Sequence, residues 1–83
     1  MTTVAVIGLG YVGLPLAVEF GKSLPTVGFD LDADKVAQCG AGRDPAREIP
    51  EEQMRAARLA EFTADAARLA AADFILIAVP TPV

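Results

Sequence analysis

The chain has 83 residues, 53% hydrophobic and 22% charged, which suits one small globular domain and is too short for a two-domain enzyme. A formal charge of -4 excludes the basic footprint by which proteins hold nucleic acid or anionic membranes. With one cysteine, Cys39, and no histidine, neither an intrachain disulfide nor a zinc cluster can form, and the commonest general base is missing.

Thr3–Gly8 opens the chain as a short β-branched apolar run ended by glycine, the signature of a strand buried on both faces. It is too short to span a membrane and lacks the basic flank of a signal peptide, so cytoplasm is the expected location. From Tyr11 to about Ser23 the period becomes helical. Val12, Leu16 and Phe20 form one stripe, and Gly13, Ala17 and Gly21 a second whose small side chains let a helix approach a sheet closely. With Gly10 as cap, Pro15 falls just past the first turn, so a bend or a later start is expected.

Thr26–Asp30 is the second expected strand, and Ala33–Ala41 a short helix stopped by Gly40 and Gly42, with Asp34 placed to cap it. Arg43–Pro50 is loop. Glu51–Arg58 returns to helix, with acids at its start and arginines toward its end. Glu61–Thr63 is a brief third strand, Asp65–Ala72 an alanine-rich helix, and Phe74–Val79 a fully apolar strand halted by Pro80. The order β-α-β-α-α-β-α-β with short links implies an α/β fold with a Rossmann-like parallel sheet, strand order 3-2-1-4.

Gly8-Leu9-Gly10-Tyr11-Val12-Gly13 is a G-x-G-x-x-G turn between that first strand and first helix. Gly8 permits the tight turn, Gly10 lets a pyrophosphate approach the backbone, and Gly13 permits close helix–strand packing. Free N–H groups and the helix dipole then favour an anion there. The pattern alone is weak. The strand before it, the helix after it and the acidic Asp30 at the end of the next strand make it a dinucleotide site. A carboxylate at Asp30 accepts hydrogen bonds from ribose hydroxyls and repels a 2′-phosphate, which selects NAD over NADP.

The segments "VAVIGLGYVGLPLAVEFGK", "VGFDLDADKV", "GRDPAREI", "LAEFTAD" and "ADFILIAVPTPV" together resemble the N-terminal part of the UDP-glucose/GDP-mannose dehydrogenase family, the NAD-dependent nucleotide-sugar 6-dehydrogenases. Such enzymes oxidise a sugar C6 alcohol to a carboxylate in two hydride transfers. The resemblance implies that Gly8, Gly10, Tyr11, Val12 and Gly13 hold the pyrophosphate. It implies further that Asp30 binds the adenosine ribose with help from Lys35, and that Pro80 and Thr81 of V-P-T-P meet the cofactor. It leans toward substrates of the UDP-N-acetylhexosamine type. The family's nucleophilic cysteine and its lysine and asparagine helpers belong to later domains, and none of those motifs occurs here. Cys39 is expected to be a small packing residue. This chain alone is therefore expected to be inactive. The NAD domain of another dehydrogenase, such as one acting on 3-hydroxyacids, and a non-catalytic NAD-sensing module are the alternatives.

In the order 3-2-1-4 the Phe74–Val79 strand is an edge, yet its six uncharged residues suit the middle of a sheet. The sequence is thus expected to be the first piece of a longer chain, or to associate with a second copy through this edge.

Overall fold

The computed structural model describes residues 2–78. Its element order is β1 (Val4–Ile7), α1 (Gly13–Gly21), β2 (Thr26–Phe29), α2 (Ala33–Gly40), α3 (Glu51–Ala56), β3 (Ala60–Thr63), a 3₁₀ segment (Ala66–Ala71) and β4 (Phe74–Ile77). The strands form one parallel sheet in the order β3-β2-β1-β4. This is the expected α/β architecture and strand order. The expectations for Val79, Pro80 and Thr81 lie outside the described residues.

Register decides what the sheet presents at its carboxyl end. Ile7 pairs with Phe29 and with Ile77, and Phe29 pairs with Thr63, so all four strands stop level. Backbone bonds just beyond that line lock the exits together. Gly8 N–H donates to Phe29 O at 2.8 Å, Asp30 N–H to Thr63 O at 3.2 Å, and Ala78 N–H to Ile7 O at 2.8 Å. Gly8 and Asp30, separated by 22 positions in the chain, thereby share one edge.

The core is built on β1 and α1. Val4, Val6, Leu9, Leu14, Ala17, Val18, Cys39, Met54 and Ala57 form one buried cluster, and each large aliphatic side chain in it contributes about 1.5–3 kcal/mol by leaving water. The small-residue stripe of α1 faces the sheet, as its composition requires: Gly13, Ala17 and Gly21 are buried, whereas Val12 and Leu16 of the larger stripe are exposed. A Cβ at Gly21 would stand 2.6 Å from the Ala60 Cβ, so the end of α1 approaches β3 as closely as glycine allows. Pro15 sits in the first turn of α1, which accordingly starts at Gly13 and not at Tyr11.

Two local expectations are corrected. Asp32, not Asp34, caps α2: its Oδ1 accepts from the Asp34 N–H at 3.0 Å and the Lys35 N–H at 3.2 Å. A cap must precede the helix with an extended backbone, and Asp32 has that conformation while Asp34 already lies in the first turn. The alanine-rich segment is 3₁₀ and not α-helical, with Asp65 Oδ1 accepting from Ala67 N–H at its start. The connection from β3 to β4 has to pass between opposite edges of the sheet as well as return the length of a four-residue strand, ~13 Å at the usual rise, so a longer reach per residue is favoured. Six residues reach ~12 Å as 3₁₀ but only ~9 Å as α-helix. Arg68 ties the segment to β3 by donating twice to the Glu61 carboxylate, at 2.6 and 2.7 Å.

No helix among the described residues is long and apolar enough to cross a membrane.

Candidate functional site at the glycine turn

The three glycines of the turn answer to different constraints. Gly8 has φ 97°, a left-handed conformation that a side chain strains. At Gly13 a Cβ would fall inside the Gly8 carbonyl oxygen, so α1 touches the end of β1 there. Gly10 differs. A Cβ at this position meets nothing within 4 Å, and its φ is not in the left-handed range. Gly40 is equally open, so free space alone does not mark a site. Gly10 is distinguished by lining a cavity.

That cavity measures about 280 Å³, near the lower end for small-molecule sites, and is mostly apolar. Gly10, Tyr11 and Lys35 line it together with Asp44, Pro45, Ala46, Glu48 and Ile49. The start of α1 borders it through Leu14 and Pro15. Tyr11 and Val12, just before α1, are solvent-exposed. The Leu14 N–H donates to the Gly10 carbonyl at 3.1 Å, which winds the turn directly into α1.

Asp30 joins the exit of β2 to the turn. Its Oδ2 accepts from the Leu9 N–H at 2.9 Å and its Oδ1 from the Asp32 N–H at 2.9 Å. The Lys35 Nζ lies 3.6 Å from the same Oδ2. A carboxylate offers about four acceptor positions, so capacity remains for a ligand hydroxyl. Burial pushes the Asp30 carboxyl up, but the Asp32 and Leu9 amides and then the Lys35 charge outweigh it and hold the group below its ordinary 3.8. A depressed folded-state value stabilises the fold above the unfolded value and ceases to do so as pH falls through the folded one. The stability difference between the wild type and Asp30→Asn should therefore shrink below pH ~4. Urea titrations at several pH values measure it, and a constant difference would remove this coupling.

Of the residues expected at the site, Gly8, Gly10, Tyr11, Val12, Gly13, Asp30 and Lys35 are gathered around the turn and the β2 exit. Pro80 and Thr81 lie outside the described residues. Cys39 is buried, and burial, followed by the charge of Asp44, pushes its thiol up to about 11. It therefore stays protonated and packs, as expected for a residue in the core. No motif marks Asp44–Ile49 as part of the cavity lining. An Asp-Pro pair is a turn signal, and only the fold brings that turn to the same cavity as Gly10.

These features match a known family. A model of the UDP-glucose/GDP-mannose dehydrogenase family, NAD binding domain, covers residues 2–83. The chain belongs to this family. It is 48% identical over 80 residues to UDP-N-acetyl-D-glucosamine 6-dehydrogenase of Salmonella typhi, covering 96% of this chain and 19% of that protein. The enzyme of the same name from Pseudomonas aeruginosa is 42% identical over the same shares. Among solved structures, GDP-mannose dehydrogenase of Pseudomonas aeruginosa superposes with a TM-score of 0.84 at 25% identity, over 95% of this chain and 20% of that one. The UDP-D-ManNAc dehydrogenase of Pyrococcus horikoshii gives 0.83 at 25% identity, over 98% and 21%. The chain thus spans about a fifth of the length of the family members it matches. The matched segment falls within the family's NAD-binding domain, and the residues fit that cofactor: at Gly10 the fold leaves open the space that a side chain would fill.

Proposed function

We propose that this chain forms the NAD-binding portion of a cytoplasmic nucleotide-sugar 6-dehydrogenase, which oxidises a sugar C6 alcohol to a carboxylate. The observation that carries the reading is Gly10. The fold explains Gly8 by its backbone and Gly13 by its packing, but nothing among the described residues requires glycine at position 10, which lines the cavity at the start of α1. A pyrophosphate against the backbone supplies the missing reason, with the N–H groups of Tyr11 and Val12 and the helix dipole as its partners.

In this reading Asp30 accepts hydrogen bonds from the adenosine ribose, and Lys35 holds the carboxylate and lends it a donor. Pro80 and Thr81, which follow β4 in the sequence, complete the cofactor contacts. Bound NAD supplies the hydride acceptor. This chain's share of the chemistry is to bind and orient it, since the cysteine, lysine and asparagine of the reaction belong to the rest of the protein. The curated relatives favour a UDP-N-acetylhexosamine as substrate, because two of them carry the name UDP-N-acetyl-D-glucosamine 6-dehydrogenase.

Titration with NADH tests the reading. Gly10→Ala should melt like the wild type yet bind NADH at least about tenfold more weakly, because the methyl group takes the phosphate's place and nothing else. NADPH should also bind at least about tenfold more weakly than NADH, since like charges set together cost more than the ~1.4 kcal/mol of a tenfold change. Unchanged NADH affinity in Gly10→Ala would remove the pyrophosphate from this turn. Equal affinity for NADPH would remove the role given to Asp30.

A further inference from the structure

The wall facing the glycine turn is held by one side chain. Asp44 is buried, and its carboxylate accepts three backbone N–H groups: Ala46 at 2.8 Å on Oδ1, and Glu48 and Ile49, each at 2.9 Å, on Oδ2. The Asp44 carbonyl also accepts from the Arg47 N–H at 2.9 Å, closing a turn with Pro45 at its second position. Arg47 follows at φ 58°, the one left-handed residue other than glycine among the described residues. A segment with no helix or sheet bonds of its own is thereby fixed in a single shape. Pro45, Ala46 and Ile49 line the same cavity as Gly10, Tyr11 and Lys35.

We infer that Asp44 is a positioning residue of the dinucleotide site. It touches no ligand. By gathering three amides it holds Pro45, Ala46 and Ile49 as a ready-made apolar wall beside the sugar–phosphate part of the cofactor. A loop already ordered before binding does not have to be ordered by the ligand, and affinity rises accordingly. A carboxylate suits this task because it is acceptor-only and has room for three donors; an asparagine would present a donor to one of them. The inference rests on the reading that NAD lies on the glycine turn.

The test uses NADH with the wild type, Asp44→Asn and Asp44→Ala, each measured well below its own melting temperature, where a variant that has only lost stability is fully folded. Both variants should bind roughly tenfold more weakly, the lower end of what supporting partners cost at metal sites. In the wild type, NADH should slow hydrogen exchange at the Glu48 and Ile49 amides. This second measurement stands even if neither variant folds. Wild-type affinity in the folded variants, or exchange at those amides that ignores NADH, would overturn the inference and leave Asp44 as a stabilising residue only. Failure of the wild type to bind NADH at all, or wild-type affinity in Gly10→Ala, would instead overturn the reading beneath it.

Discussion

Gly13→Ala is expected to destabilise the domain by about 3 kcal/mol or more, a large part of the ~5–15 kcal/mol that holds a typical domain together. The added Cβ would fall inside the Gly8 carbonyl oxygen, with the Gly8 carbonyl carbon at 2.8 Å and the Ala78 Cβ at 3.2 Å. Two of these three neighbours are backbone atoms, which no change of rotamer can move. Helix α1 would have to lift from β1, opening the contacts of Leu14, Ala17 and Val18 with the core. Chemical denaturation followed by circular dichroism measures the loss. The contrast with Gly10→Ala is the informative part: the same substitution three positions earlier should leave stability unchanged and remove affinity. A Gly13→Ala variant within about 1 kcal/mol of the wild type would mean that α1 is free to move, and that surface mutations are its proper comparison.

The second large effect concerns β4. The 83-residue chain is expected to self-associate, its weight-average mass rising with concentration in analytical ultracentrifugation. Phe74, Ile75, Leu76 and Ile77 are 62, 50, 37 and 71% exposed. Successive strand residues point to opposite faces, so both faces of β4 are apolar and uncovered. Its outer edge has no partner strand among the described residues. Such an edge is a template for pairing with another chain, and a charge on it is the usual protection. Ile75→Lys together with Ile77→Lys should restore a monomer without disturbing the α1 side of the sheet. A monomer whose mass is independent of concentration in the unmodified chain would contradict the proposal.

The two effects show how differently the sequence carries information. The glycine turn was legible because its signals are local: an apolar run, three glycines at fixed offsets and a helical period follow one another within twenty residues. Asp30 was legible through spacing, since one helix and one strand separate the ends of β1 and β2 in any unit of this kind. The cap of α2 was misplaced by two positions. Asp30, Asp32 and Asp34 are chemically equivalent in the sequence, and only the backbone angle at Asp32 makes it the cap.

What the sequence determined by itself is the order of elements and the place of the glycine turn, because periodicity and turn chemistry act over a few residues. The strand order 3-2-1-4 follows from that order through the rules for parallel crossovers. The tertiary structure alone decided the rest. It wound an alanine-rich segment as 3₁₀ where the chain passes between the two edges of the sheet, and it separated Gly10, where a Cβ would meet nothing, from the two glycines the fold needs. It also brought the Asp44 loop to the cavity that Gly10 lines. Each of those depends on a distance between residues far apart in the chain, and no local pattern records a distance.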